Sequence, residues 1–481
     1  MIYRNSNLLS RRQILERTGL GFGGLALAWI LNRDSARAAT AGPTSGFDLK
    51  PRQPHFAPKA KAVIQLMQNG GPSQMDLFDP KPELSKRNGQ KHGEKLETLQ
   101  EGSAGNVLMG SPYKFEKRGQ CGMDISELLP HTASIADDIT LIRSMHTEHN
   151  NHSEALVMLQ TGKIFPGRPT TGAWISYALG SENQNLPSYI VLRDPEGYST
   201  NGSLGWDNGW LPALYRGTEF NSKGTPVLDL KPAMPAPEGS QEDRLNLLAQ
   251  LNQKHRAGYP ENTSLDARIK NYELAARMQL AAGEVLDLNK ESEATKKMYG
   301  LDNPTTAGYG IRCLMARRLV EAGVRFIQIF PPIKPTVQPW DNHADLTTAL
   351  PQICSYTDQG SAALVTDLKQ RGLLDSVMVM WAGEFGRLPI SQKGTGRDHN
   401  RFGFSLWMAG GGFKRGYVHG TTDEIGYRAA DDKVSVPELH ASMFQLLGLD
   451  HKRVTFRNHG REESLTDYPV THAEAVAKLL A

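Results

Sequence analysis

"DSVMVMWAGEFG", Asp375 to Gly386, is the stretch on which the fold turns. Every position from Val377 to Ala382 is apolar, and Gly383 and Gly386 bracket the pair Glu384 and Phe385. An amphipathic helix would show a polar face every three to four residues, and a half-exposed strand would alternate. A short unbroken apolar run closed by glycine therefore reads as a strand covered on both faces. Such strands belong to parallel sheets with helices packed over both sides. "KAVIQLMQNGG" (61–71), "DITLIRSM" (138–145), "LPSYIVL" (186–192) and "RFIQIF" (325–330) carry the same signature. Helical patterns fall between them: "TGAWISYAL" (171–179), "IRCLMARRLVEAG" (311–323) and "GSAALVTDLKQRGLL" (360–374). The alternation predicts an α/β fold whose central, mostly parallel sheet is flanked by helices.

Between about Asp194 and Tyr299 the pattern changes. A Gly/Trp/Pro-rich loop, "PEGYSTNGSLGWDNGWLPALYRGTEF", leads into polar helices, and the stretch reads as a helical and loop insertion covering the sheet edge or mouth. A small separate domain is the alternative, although no flexible linker marks its ends. Strand-like runs resume at "FSLWMAGGGFKRGYVHG", and "SVPELHASMFQLLGLD" is a capped helix ending at Gly448.

With 481 residues, 39% of them hydrophobic and 22% charged, the chain can bury a substantial core. Its 54 basic and 51 acidic residues leave a formal charge of +3 with no long basic block, which excludes nucleic acid as the expected partner. The amino terminus, "SRRQILERTGLGFGGLALAWILNRDSARAA", joins Arg11 and Arg12 to an apolar run from Leu20 to Leu31 and the small-residue pattern Ala36, Arg37, Ala38. It reads as a twin-arginine export signal over residues 1–38, followed by a lead segment (39–58) and one domain (59–481). The apolar run falls short of the roughly 20 residues needed to span a bilayer, so no stable span is expected after cleavage. The expected partner is the twin-arginine export machinery, and the expected location is periplasmic or extracellular. Cys121, Cys313 and Cys354 form no C-x-x-C pair and are read as buried free thiols, with one bridge between two of them as the alternative.

Ligands of parallel sheets bind beyond the carboxyl ends of the strands, where four polar clusters fall. "NGGPSQMDLFDPKP" offers Asp76 as a carboxylate for a hard cation, or as the cap of the next segment. "HTEHNNHSEALVMLQTG" (146–162) places His146, His149 and His152 before an apolar helix, and a helix start there favours an anion. "QPWDNHADL" holds Asp341 and His343 two residues apart, able to share a metal; a carboxylate that only orients the imidazole is the alternative. "GEFGRLP" and "GRDHN" bring Glu384, Asp398 and His399, with Glu384 between glycines at a strand end. Asp76, His152, Asp341, His343, Glu384, Asp398 and His399 together supply enough ligands for two divalent ions, among which Zn, Ca, Mg and Mn are not distinguished. Asn151 and Arg387 beside these clusters, with Trp206 and Trp210 of the insertion as ring-stacking platforms, are the expected substrate contacts. His440, inside a helix start, is a further candidate with packing as its alternative.

In order along the chain, "GGPSQMDLFDPKP", "NHSEALVMLQTG", "WDNH", "GEFGRLP", "GRDHN", "WMAGGGFKRGYVHGTTDEIG" and "LHASMFQLLGLD" resemble domain-of-unknown-function family 1501 over nearly the whole mature chain. That family is similar in fold to the alkaline phosphatase and sulfatase superfamily, whose members hydrolyse phosphate or sulfate esters with metal ions. The resemblance implies an alkaline phosphatase-like fold and an exported, metal-dependent hydrolase acting on a small-molecule or polysaccharide ester. A non-catalytic surface or carbohydrate-binding protein on the same fold is the alternative. Counting back from Thr161 and Gly162 puts His152 at the superfamily's nucleophile position, with Ser153 beside it, so both are candidate catalytic residues. No C-x-P-x-R occurs, which removes the formylglycine chemistry of ordinary sulfatases. In the superfamily's late Asp-His metal pair, Glu384 would replace the Asp and Phe385 the His, while its first-strand Asp falls on Asn69 or Asp76.

Overall fold

The structure is a computed structural model that describes residues 47–103, 105–224, 226–227, 240–259, 263–334 and 336–481. The expected export signal lies outside the described residues. Among the described residues, no helix is long and apolar enough to cross a membrane.

Val377–Ala382 forms a strand, buried at all six positions. It sits in the middle of a nine-stranded sheet. In chain order the sheet strands are β1 (Ala62–Met67), β2 (Ile139–His146), β3 (Tyr189–Leu192), β4 (Thr218–Glu219), β5 (Phe326–Ile329) and β6 (Val377–Ala382). A hairpin outside the sheet comes next as β7 (Gly386–Gln392) and β8 (Gly396–Asn400), then β9 (Phe404–Ala409), β10 (Tyr417–His419) and β11 (Val434–Ser435) rejoin the sheet. The order across it is β10-β2-β9-β6-β1-β5-β3-β4, with β11 also pairing β2. β9 alone runs against the rest, for it pairs antiparallel with both β2 and β6 while every other pair is parallel. The mostly parallel α/β architecture is thus as the sequence predicts, and the carboxyl ends of β1, β2, β3, β5 and β6 share one edge.

The helices that matter for function are α1 (His152–Thr161), α2 (Thr171–Leu179), α3 (Ser240–Ala257), α4 (Thr263–Val285), α5 (Ala307–Glu321), α6 (Leu346–Gln370) and α7 (Val436–Leu446). α1 buries Ala155, Leu156, Met158 and Leu159 and stops at Gly162, whose φ of 75° is a conformation glycine adopts freely. α7 starts on a reciprocal cap between Ser435 and Glu438, as the Ser-x-x-Glu spacing predicts. Between β3 and α5, the described residues form three 3₁₀ turns, the edge strand β4, α3, α4 and a short helix, Glu293–Met298. By internal contacts the chain divides into 48–231 with 270–481, which holds the sheet, and 1–47 with 232–269; the described part of the latter is α3, which buries no residue, and the start of α4.

At the carboxyl edge, Trp381 of β6 stacks on Trp407 of β9 at 6.3 Å and meets Trp340 edge-on at 5.5 Å. Trp340 is fully buried and donates its indole N–H to Gln68 at 2.9 Å. Aromatic burial of this size fixes the loop that carries the next residue, Asp341. Of the cysteines, Cys313 and Cys354 are buried and Cys121 is exposed; all are free.

Candidate metal centre

Four segments meet beyond that edge. The loop after β5 ends in tight turns, with Asp341 N–H bonded to Gln338 O and His343 N–H to Asp341 O, so Asp341 and His343 project from one short corner. His152 is the first residue of α1. His399 lies on β8, directly opposite Arg387 of β7 in the hairpin. One ligand atom from each of His152, Asp341, His343 and His399 lies within 4.8 Å of all the others. His343 Nε2 is 2.8 Å from Asp341 Oδ1, His399 Nε2 is 3.2 Å from the same oxygen, and His152 Nε2 is 3.3 Å from Oδ2.

The opposite edge of each ring is already taken. His152 Nδ1 lies 2.6 Å from Glu384 Oε1, His399 Nδ1 lies 2.6 Å from the Asn150 carbonyl, and His343 Nδ1 meets Gln392 Oε1. Gln392 donates its own amide N–H to Glu101 O, which fixes its oxygen toward His343. All three Nδ1 partners only accept, so each Nδ1 carries a proton and each ring turns its Nε2 to the same point. Beside the Asp341 carboxylate, each Nε2 is met either by its own proton or by a cation that displaces it. Consistently, His152 Nε2 and His343 Nε2 are buried with no hydrogen-bond partner. Three imidazoles and one carboxylate suit Zn²⁺ or a related divalent ion, and an acceptor behind each ring is the arrangement that orients metal-bound histidine.

Without an ion, protons and Arg387 balance the Asp341 carboxylate. Burial pushes His152 down, yet the Asp341 and Glu384 carboxylates outweigh it and raise the ring to about 9. Burial, together with the charges of Arg387 and His152, lowers His399 to about 4. Burial raises the Asp341 carboxyl, but Arg387 and the three imidazoles hold it far below the usual carboxylate range. Asp341 is therefore an anion, with Arg387 Nη2 at 2.7 Å on Oδ1. The cluster opens on one side, where the side chains of Asp341 and His343 are 22% and 20% exposed.

The family described as protein of unknown function (DUF1501) matches residues 60–480. The chain belongs to that family. No curated protein matches it. Among solved structures, this DUF1501 chain is similar to the PsFucS1 sulfatase from Pseudoalteromonas sp. at 10% identity and TM-score 0.33, covering 89% of this chain and 71% of that one. A protein in the alkaline phosphatase superfamily from Vibrio parahaemolyticus is similar at 11% identity and TM-score 0.35, covering 94% and 78%. The phosphonate monoester hydrolase SpPMH from Silicibacter pomeroyi gives 12% identity, TM-score 0.30 and 72% of each chain. Likeness that slight carries no argument about activity.

The other residues expected at the site go elsewhere in this DUF1501 chain. Asp76 is no ligand: it is fully buried and holds the Arg397 fork, Nε at 2.7 Å and Nη2 at 3.2 Å, with the Ser73 hydroxyl on Oδ2. Asp398 is no ligand either, since it accepts from the N–H groups of Leu99, Gln100 and His399 and the hydroxyl of Ser103. Glu384 stands behind His152, and its oxygens also take the Gly70 N–H at 2.9 and 3.1 Å. Gly70 has a φ of +117°, and a Cβ there would lie 2.7 Å from the backbone N of Asp341, so only glycine allows these two loops to meet. Arg387 is 1% exposed and spends its guanidinium on Gly71 O, Gly70 O, Arg397 O and Asp341, so it orients the carboxylate and leaves no face for substrate.

Asn151 is exposed, and its side chain makes no capping bond. Ser153 is half-buried, and its carbonyl accepts from Asn201. Trp206 is 2% exposed beneath Tyr198 and Phe330 and offers no face to a sugar, while an Arg168 guanidinium lies over one face of the half-buried Trp210 at 4.8 Å. Of the three histidines in 146–152 only His152 joins the cluster; His146 pairs with Ser435 in the sheet, and His149 is a half-buried neighbour of Glu154. Sequence reading missed Gln392 and the Asn150 carbonyl, for which no local pattern exists. The Phe385 ring, expected where the superfamily has a metal-binding His, packs 4.5 Å from His399 and 5.0 Å from His152.

Proposed function

We propose that the protein is an exported, metal-dependent hydrolase of phosphate or sulfate esters, built around one divalent ion held by His152, Asp341, His343 and His399. The observation that carries the metal is the set of three imidazoles, each with an acceptor on Nδ1 and with Nε2 turned toward Asp341. One ion rather than two is favoured because Asp76, Glu384 and Asp398 are each already committed to protein donors. Bound there, a divalent ion would supply a Lewis acid that polarises an ester oxygen and acidifies water.

The chain's own residues do the rest. Arg387 fixes the Asp341 carboxylate, and Glu384, Gln392 and the Asn150 carbonyl fix the rings. The first-turn N–H groups of α1, which no carbonyl of that helix can serve, face anionic oxygens favourably. Water adds to phosphorus or sulfur, the bond to the ester oxygen breaks, and the water's proton passes to the departing alcohol or to solvent. His152 has Nδ1 held by Glu384 and Nε2 turned toward Asp341, which favours a ligand over an attacking group or a base. The twin-arginine pattern supports export.

Elemental analysis of purified protein is expected to find one divalent ion per chain, lost in Asp341→Ala, and aryl phosphates or sulfates are expected to turn over only when that ion is present. Protein that retains no ion and turns over neither ester class would break the reading. The absence of a free nucleophile at the His152 position favours a second reading, a metal-bearing but non-catalytic protein. One bound ion with no turnover would support it.

A further inference from the structure

Residues 97–102 are all exposed, between the buried Leu96 and Ser103. The run gives the core no side chain, so hydrogen bonds hold it in place. The Leu99 and Gln100 N–H groups each donate to Asp398 Oδ2 at 2.9 Å, and the Ser103 hydroxyl donates to the same oxygen at 3.3 Å. Gln392 donates its amide N–H to Glu101 O at 2.9 Å, and the Lys393 N–H donates to Gly102 O at 3.2 Å. The Glu97 carboxylate takes the Arg401 fork at 2.9 and 3.0 Å and the Asn150 side-chain amide at 3.3 Å, while its N–H goes to the Tyr427 hydroxyl.

Three of these anchors stand directly behind metal ligands. Gln392 is the acceptor on His343 Nδ1, Asn150 supplies the carbonyl on His399 Nδ1, and Asp398 precedes His399 and accepts its N–H at 2.8 Å. The Gln392 amide matters most. With its N–H on Glu101 O, its oxygen faces His343, which keeps a proton on Nδ1 and turns Nε2 to the ion. Released from Glu101, the amide can rotate and offer N–H to the ring. Nδ1 must then accept, and the ring's proton moves to Nε2, where it competes with the ion. Glu97 acts on His399 through the loop that carries the acceptor. Arg401 holds that loop by its O on the Thr147 N–H at 2.9 Å and its Nη1 on Glu148 O at 3.0 Å, and Glu97 holds both Arg401 and Asn150.

We propose that residues 97–103 are a clasp for the metal centre, with Glu97 as a positioning residue: the docked clasp locks the acceptors behind His343 and His399 in the orientation an ion needs. The proposal rests on the metal reading and not on ester hydrolysis. Linkage is reciprocal, so an ion that binds better with the clasp docked also holds the clasp down. Bonds at so exposed a site are individually weak, which leaves the docking of the clasp open to control by the ion.

Hydrogen exchange of the full chain, followed by mass spectrometry without and with Zn²⁺, tests it. Exchange across 97–103 should slow about five-fold or more when Zn²⁺ is added. The Thr295 N–H, held on the surface by the Ser292 hydroxyl at 3.1 Å, serves as the reference and should not change. Glu97 is exposed, so Glu97→Ala should leave the fold intact, while Zn²⁺ affinity by chelator competition should fall about two- to five-fold. Glu97→Gln, which keeps an oxygen for Asn150, should lie between the two. Exchange indifferent to Zn²⁺, or an affinity indifferent to Glu97→Ala, would overturn the clasp and leave the metal centre standing. Protein that binds no Zn²⁺ would overturn the metal reading itself.

Discussion

Asp76 and Asp341 are acidic residues beyond the same edge of one sheet, and they have opposite fates. Asp76 is fully buried against the Nε/Nη2 fork of an equally buried Arg397 and a serine hydroxyl, so charge and hydrogen bonds close within the protein. Asp341 has one guanidinium nitrogen and three imidazole Nε2 atoms around it, two of them without a hydrogen bond. The difference separates a structural ion pair from a ligand site by what is left unpaired. Burial and charge are common to both, and neither alone marks function.

The sharpest way to break the comparison is to remove the partner on the closed side. Arg397→Met leaves Asp76 buried and uncompensated, and denaturant unfolding should show a loss of about 3–5 kcal/mol. Loss of metal with little change in stability would mean that the two carboxylates had been assigned the wrong way round.

His440 supplies an imidazole with no carboxylate beside it. Its Nε2 lies 3.0 Å from Leu159 O, and burial lowers it to about 4. The unfolded chain, with an ordinary value near 6.5, takes up the proton first as pH falls. Stability from His440 is therefore present above about pH 6.5 and is lost progressively down to about pH 4, by up to about 3 kcal/mol. Denaturation of native protein and His440→Gln across that window should give a shallower pH dependence in the variant. Parallel curves would show that burial does not perturb His440.

The smallest effect is expected behind the open site. Glu384→Gln preserves shape but weakens the acceptor on His152 Nδ1, and metal affinity by chelator competition should fall about 10–100-fold. An unchanged affinity would place Glu384 with the structural carboxylates.

Much of the architecture was legible. Unbroken apolar runs such as Val377–Ala382 and Ala62–Met67 can satisfy their backbone only in a covered sheet, and both are central strands. At the site, His152, Asp341, His343 and His399 could be read from strand ends and close spacing. Asp76 and Asp398 could not be told from them, because a carboxylate before a helix or in a hairpin looks the same whether it will meet a guanidinium, backbone N–H groups or a metal. Arg387 and Trp206 were misjudged for a related reason: a polar or aromatic residue near a site loop carries no mark of its burial, and both are enclosed.

By itself, then, the sequence determined the α/β alternation, the edge at which chemistry gathers, and the family, since local apolarity and turn chemistry act over a few residues. Tertiary structure alone decided which acid pairs with which base. Arg397 reaches Asp76 across 321 positions and Glu384 reaches His152 across 232. The state of a buried charge depends on the partner that packing brings to it, and not on its neighbours along the chain.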